Sequence, residues 1–414
     1  MTRSLLTSAY LPALLYETGL GAVMPVIALV AAGMGAGLDQ AALVVALVGV
    51  GQILGDVPAG ALAARVGDRR AMLVAALVAC VALAAGALAP TLPVLAGAVL
   101  LTGAASAVFH LARQAYLTEV VPVVNRARAL STLGGVSRIG IFLGPFLGAA
   151  VLHVADLRAV FWLAVGTTVA AALVVGLARD IDDRRPAAAP GRPRVSTAGL
   201  VRRHRRLLAT LGLAVVLVGA VRATRGVVLP LWSEHLGLAP ATTSLVFGLS
   251  GAVDMLLFYP AGKVMDRFGR LWVAVPSMLV LGAAVAVLPL TSTLTGLAVV
   301  AMVMGFGNGI GSGILMTLGA DVAPPEHRAQ FLGVWRVLQD SGAAAGPLVV
   351  SAVAAAGSLA AGIATMGGAG LLAAGALAAS VPRWSEHATR RTRERASAAR
   401  AADARAGGSG TGAG

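Results

Sequence analysis

Ten ionisable side chains fall inside long apolar runs of this sequence: Glu17, Asp56, Asp254 and Asp340, Arg113, Arg138, Arg222, Arg225 and Arg336, and His110. A charge in the middle of a bilayer costs at least ~2.5 kcal/mol on insertion scales, so such residues face a wet cavity or one another. A carboxylate beside an arginine stays ionised, and one whose arginine is drawn away takes a proton. Acids and arginines placed in this way have the chemistry of ion pairing and proton carriage. Arg222 and Arg225 are three residues apart and share a helix face, an arrangement that suits a carboxylate or a phosphate. His110 is either a proton relay or a hydrogen-bonded structural histidine. Asn308, within Gly305-Phe306-Gly307-Asn308-Gly309, is a candidate for lining a cavity, with Gln114, Tyr116 and Gln339 behind it. No nucleophile–base or metal-ligand cluster with recognisable spacing occurs, so an enzyme is not expected. Nothing matches G-x-x-x-x-G-K-[ST], which argues against ATP hydrolysis. The lone Cys80 excludes a disulfide framework, and no cofactor is expected.

The elements that hold these residues must be membrane helices. The chain of 414 residues is 58% hydrophobic and only 12% charged, with a mean hydropathy of +0.86, more apolar surface than a soluble core can use. Twelve spans are expected, near 10–32, 41–62, 71–92, 94–117, 129–151, 159–178, 208–231, 243–263, 271–290, 295–318, 329–352 and 359–381. Each is close to the ~20 residues that cross the hydrocarbon as a helix. The Gly-rich stretch 303–319 is expected to bend. The formal charge of +14 would suggest nucleic acid in a soluble protein, but nine Arg fall between Arg179 and Arg206 and seven between Arg383 and Arg405. With the N-terminus inside, the outer loops hold one Arg or Lys, Arg158, which predicts both termini in the cytoplasm and no nucleic-acid partner. The expected division is a six-helix bundle over 1–178, a cytoplasmic linker over 179–207, a second six-helix bundle over 208–382 and a disordered basic tail over 383–414. Arg outnumbers Lys 31 to 1 amid abundant Ala and Gly, a pattern of high-GC coding that points to a bacterial cytoplasmic membrane.

The two bundles read as a duplication. Pro58-Ala-Gly-Ala-Leu-Ala-Ala-Arg-Val-Gly67 returns 202 residues later as Pro260-Ala-Gly-Lys-Val-Met-Asp-Arg-Phe-Gly269. At the same offset Gly103 meets Gly305, Glu119 meets Asp321, and Gly144-Pro145 meets Gly346-Pro347. Repeated halves of this kind are how many transporters are built.

At these residues the chain resembles the major facilitator superfamily, over about residues 5–382. Gly262-x-x-x-Asp266-Arg267-x-Gly269-Arg270 is similar to that family's G-x-x-x-D-R-x-G-R loop. Gly60-x-x-x-Ala64-Arg65-x-Gly67-Asp68-Arg69 is a variant with Ala64 in place of the Asp. The resemblance implies an all-α membrane protein of two six-helix bundles related by a pseudo-twofold axis. It also implies a cytoplasmic gate in which the loop's Asp and Arg bridge neighbouring helix ends, with the Gly262 copy carrying more of the latching. Gly140-Ile-Phe-Leu-Gly144-Pro145-Phe-Leu-Gly148-Ala149 resembles the Gly-Pro motif of the family's drug–proton antiporters, although close helix packing explains the same residues. The arginine such antiporters usually carry early in span 4 is missing.

In the family every third helix is peripheral, which fits the lack of ionisable residues in spans 3, 6, 9 and 12. It also packs helix 5 on helix 8 and helix 2 on helix 11. Arg138 lies about 15 Å above Arg128 and Asp254 about 14 Å above Lys263, so an Arg138–Asp254 bridge is expected. Asp56 lies about 14 Å above Arg65 and Arg336 about 12 Å above Arg328, which predicts Asp56–Arg336. Glu17 is matched in depth with Arg113, and Asp340 is expected to meet Arg222 or Arg225. The proton-carrying carboxylate is expected to be Asp340 or Glu17, while fixed structural bridges would use the same residues. Together these features predict a secondary transporter, a monomer in the lipid bilayer, moving a small molecule by alternating access. Proton-coupled efflux of a hydrophobic or amphipathic compound is the leading expectation, with proton-coupled uptake of a nutrient or metabolite as the alternative, for which Arg222 and Arg225 would suit an anionic substrate.

Overall fold

The computed structural model describes residues 5–36, 38–177, 196–238, 240–392, 394, 395 and 398. Most of the expected linker, 178–195, and the end of the tail, 399–414, lie outside the described residues. Among the described residues every regular element is a helix, and twelve helices are long and apolar enough to cross a membrane. They are α1 (Leu11–Gly33), α2 (Leu38–Val66), α3 (Asp68–Ala87), α4 (Leu92–Val120), α5 (Val123–Leu152), α6 (Leu157–Leu177), α7 (Leu213–His235), α8 (Pro240–Phe268), α9 (Leu271–Val287), α10 (Leu294–Ile310), α11 (Arg328–Ala356) and α12 (Leu359–Trp384). A π-helical turn leads into α1 (Leu6–Tyr10) and another into α7 (Leu208–Gly212). A short helix, Thr197–Arg203, precedes α7, with Ser196 Oγ accepting from the Gly199 amide at 3.1 Å as its cap.

The chain forms two compact units. The first comprises Met1–Arg205 with Ala323–Ala344, and the second Arg206–Val322 with Ala345–Gly414. Helix α11 therefore begins in the first unit and ends in the second. In the first unit α2 packs on α4, α1 on α5 and α6, and α3 on α4 and α6. In the second, α8 packs on α10, α7 on α12, and α9 on α10 and α12. Large apolar side chains stand exposed, among them Leu77 on α3, Leu173 on α6, Trp272 on α9 and Leu372 on α12. Lipid accommodates such side chains where water would not.

The duplication is visible at the level of single atoms. A Cβ on Gly103 would strike the Val48 carbonyl, and one on Gly305 would strike the Ser250 carbonyl, each pair 202 residues from the other. Gly67 and Gly269, the hinge glycines of the two loops, both hold positive φ, 86° and 109°, where a side chain is strained. The Gly-Pro stretches obey the same rule. Gly144 lies on the α1 backbone at Thr18 and Ala22, and Gly346 lies on α7 at Ala220 and Thr224. Close packing is thus the local role of this motif, and both α5 and α11 remain helical through their prolines. Gly144→Ala should lower the thermal midpoint of the purified protein, because the added methyl meets backbone that cannot swing away, a cost of about 1–3 kcal/mol. Gly166→Ala on α6, where a Cβ meets nothing within 4 Å, should raise the midpoint by the helix preference of alanine, up to ~1 kcal/mol. Equal shifts for the two would refute the packing role.

One helix departs from its partner in the repeat. Helix α4 is continuous, but α10 stops at Ile310 and resumes only over Ile314–Val322, with Gly313 at φ 74°. The bend expected over 303–319 is a full break at Gly311-Ser312-Gly313. The position matching Gly313 in the first half is Leu111, a good helix former.

Candidate functional site

In the first unit, two glycines set up the approach of α2 to α11. A Cβ on Gly60 would lie 2.6 Å from the Ala329 carbonyl, and one on Gly333 would lie 2.6 Å from the Asp56 carbonyl. One turn after Gly333, Arg336 reaches Asp56, with Nε 3.2 Å from Oδ1. The Asp56–Arg336 pair expected from depth is therefore formed, with Asp56 fully buried.

Within its own unit Asp340 pairs with Arg336 one turn earlier on the same helix, Nη2 to Oδ2 at 3.6 Å. The physical reason is local. An i,i+4 pair on one helix needs no tertiary movement. Arg222 and Arg225 belong to the second unit and are engaged there.

The second group of the first unit joins α1, α4 and α5. Arg113 Nη2 lies 3.4 Å from Glu17 Oε1, as matched depths predict, and 3.2 Å from Ser137 Oγ. His110 Nε2 stands 2.8 Å from the same Glu17 oxygen. Gly140 makes room for the acid: a Cβ there would come within 2.8 Å of Glu17 Cβ. Tyr16 stacks on Phe109 at 4.3 Å and shares a 3.0 Å hydrogen bond with Ser106, closing the group on one side. Arg336 lies within Coulombic reach of Glu17, His110 and Arg113, so the two groups form one field. Tyr116 and Gln114 are buried beside it, Tyr116 donating to Ser8 Oγ at 3.1 Å, while Gln339 is half-buried on α11.

The second unit holds a network of opposite character. Arg225 Nη2 lies 3.6 Å from Asp254 Oδ2, and its Nη1 donates to Ser250 Oγ at 3.2 Å. Asn308 connects the parts, donating to Asp254 Oδ2 at 2.7 Å and accepting from Arg222 Nε at 2.8 Å. The α10 break supplies the last partner: the Gly311 carbonyl, which takes the Ile314 amide at 3.2 Å, also accepts from Arg222 Nη1 at 3.1 Å. Sequence reading misses this acceptor, although Gly311-Ser312-Gly313 is the signal for it. Arg138 sits half-buried on α5, in the first unit, and Asp254's partners within its own unit are Arg225 and Asn308. Asn308→Ala should cost about 1–3 kcal/mol, because the buried Asp254 loses a donor. Asn308→Asp should cost more, by setting a second carboxylate beside the first. Thermal unfolding of the two variants checks the order.

The two repeated loops differ in their ion pairs. In the second unit Arg270 is 1% exposed and reaches Asp321 Oδ2 at 2.8 Å, Asp266 Oδ1 at 3.5 Å and the Met265 carbonyl at 3.0 Å. It thereby joins the end of α8, the start of α9 and the helix that ends at Val322. Gly262 is buried on α8, while Arg267 is exposed. In the first unit the position of Arg270 is taken by buried Asp68, Arg65 is exposed, and Arg69 donates to the Gly176 carbonyl at the end of α6. The tail expected to be disordered from 383 instead continues in α12 to Trp384 and then packs on the second loop. The Arg270 and Leu271 amides donate to the carbonyls of His387 and Ala388, at 3.1 and 3.0 Å. Sequence gave no sign of this strap, because backbone hydrogen bonds leave no residue signature.

The comparisons agree with this architecture. The family model for the Major Facilitator Superfamily matches residues 10–221 and 211–407. The uncharacterized MFS-type transporter Rv1877 of Mycobacterium tuberculosis is 31% identical over 172 residues, 40% of this chain and 25% of the relative, so the match spans a quarter of that relative's length. Among solved structures, the human organic anion transporter MFSD10 (TETRAN) superposes with a TM-score of 0.76 at 18% identity, covering 91% of this chain and 99% of that one. A bacterial homologue of the iron transporter ferroportin, in an outward-facing state, gives 0.75 at 16% identity over 89% and 97%. The proton:xylose symporter XylE gives 0.74 at 15% identity over 95% and 98%. With both halves matched by the family model, twelve spans and a duplicated loop, the chain belongs to the Major Facilitator Superfamily of membrane transporters.

Proposed function

We propose that this protein is a secondary active transporter of the bacterial cytoplasmic membrane that exports a hydrophobic or amphipathic small molecule in exchange for protons. The observation that carries this reading is the buried acid–base field of the first unit, above all the 2.8 Å contact of His110 Nε2 with Glu17. Acids packed against a histidine and arginines, as Glu17 is against His110 and Arg113 and Asp56 and Asp340 are against Arg336, take up or release a proton when a cation moves. Rearrangement of Arg113 or Arg336 during alternating access then changes which acid is protonated. Such a change links proton binding to conformation, as coupling requires. Both termini lie in the cytoplasm in this reading, and the Arg270–Asp321 contact belongs to the inner gate. The Gly-Pro resemblance of α5 supports the drug-type assignment.

A second reading has its own support. The interior of the second unit sets two guanidinium groups, Arg222 and Arg225, against one carboxylate, Asp254. Guanidinium groups three residues apart on one helix suit a carboxylate or phosphate, which favours an anionic substrate and proton-coupled uptake of a metabolite. Flux into proteoliposomes with an imposed proton gradient tests both readings. Export predicts uphill movement of lipophilic compounds against the proton gradient, and uptake predicts movement of small organic anions with it. Silence across a broad panel of both classes would refute proton-coupled transport.

A further inference from the structure

We propose that Asp56 and Asp340 form a two-carboxylate site that holds one proton between them, with Arg336 neutralising the remaining charge. This assignment rests on the proton-coupled reading above and names the group that carries the proton. Both acids pair with the same guanidinium, at 3.2 and 3.6 Å. Two carboxylates against one arginine leave one negative charge over, and the burial of Asp56, 0% exposed, makes that charge costly. Their shared contact with one guanidinium brings the two side chains together. Yet Asp56 Oδ2 and Asp340 Oδ2 are both buried without a hydrogen-bond partner. Two ionised carboxylates are acceptors only, so neither can satisfy the other. A single proton turns one into a donor and satisfies both.

The surrounding charges do not remove the need for that proton. Helix α4, which packs on α2, presents His110 and Arg113, and α1 presents Glu17. These three are engaged with one another. Glu17 is held by Arg113, while Asp56 and Asp340 share Arg336. The two acids also sit on different helices, α2 and α11, whose approach is fixed by Gly60 and Gly333. Separating α2 from α11 would end the sharing, leave Asp340 to Arg336 on its own helix and release the proton. The site therefore couples protonation to the contact between these helices.

Infrared difference spectroscopy of the purified protein in lipid tests this without knowledge of the transported compound. At neutral pH the wild type should show the carbonyl band of one protonated carboxylic acid, shifted in D2O. The band should move with 13C-labelled aspartate and stay with 13C-labelled glutamate, a measurement that needs no variant. Asp56→Asn and Asp340→Asn should each abolish it, since the remaining acid then faces Arg336 alone. Absence of the band in the wild type, its assignment to glutamate, or its survival in either variant would overturn the shared site. Flux separates the two levels of inference. A band without proton-coupled flux keeps the site and refutes the transport reading, whereas flux without the band moves the coupling proton elsewhere, with Glu17 and His110 the next group to label.

Discussion

Arg336→Met should be the most damaging single change in the first unit. It removes the one cation that both Asp56 and Asp340 touch. Breaking a buried pair costs more than the pair contributes, because the surviving charge stays buried, and the expected loss is about 3–5 kcal/mol. Transport should fall to background together with the thermal midpoint. The two effects separate in a second variant. Arg336→Met with Asp56→Leu replaces the most buried pair by apolar groups and leaves only Asp340, whose side chain is 16% exposed. Most of the stability should return, while transport stays lost. Should transport return as well, Arg336 and Asp56 are only a structural bridge. The charge swap, Asp56→Arg with Arg336→Asp, is the complementary test, since it keeps the attraction and reverses the geometry. Partial recovery of transport is expected relative to either single reversal.

The scaffold was legible because membrane helices leave long signals in sequence. Apolar runs near the hydrocarbon thickness placed twelve spans, and residues repeated at an offset of 202 placed the halves. The pairs Glu17–Arg113 and Asp56–Arg336 followed from depth along the helix, together with the helix packing that the resemblance implied. Depth alone does not single out the partner one turn away on the same helix, as Arg336 is for Asp340. It also says nothing of backbone acceptors. The Gly311 carbonyl lies at the break in α10, and the His387 and Ala388 carbonyls become available only because the chain turns back after Trp384. These groups belong to every residue alike, so composition does not mark them. Asp321 shows a third limit. The repeat placed it opposite Glu119, but its role depends on Arg270, whose counterpart is an aspartate, Asp68.

That divergence gives the second gate loop the largest expected effect in the second unit. Arg270→Met leaves Asp321 and Asp266, which are 1% and 5% exposed at the side chain, without the guanidinium they share. The loss should again be about 3–5 kcal/mol. Its consequence for function differs from that of Arg336. Arg270 is also bound by its backbone amide to His387, and Asp321 Oδ2 lies 3.5 Å from Ser385 Oγ, so the side-chain clasp and the tail strap meet at one point. Weakening the clasp should expose the loop Gly262–Arg270 and the strap to protease together, since each holds the other. Cleavage after Arg267 and after Arg390, both outside the buried cluster, should accelerate in Arg270→Met, while cleavage at Arg65 in the first loop keeps its wild-type rate. Arg270→Met combined with Asp321→Leu and Asp266→Leu removes the stranded charges and should restore the midpoint, but not the protease resistance. Equal acceleration at Arg65 would mean that the protein unfolds as a whole and that the second loop is not a local latch. Acceleration confined to the second loop and the strap would instead identify Arg270 as the residue that ties α8, α9 and the C-terminal segment into one mechanical element, an arrangement that Asp68, at the matching position of the first loop, cannot make.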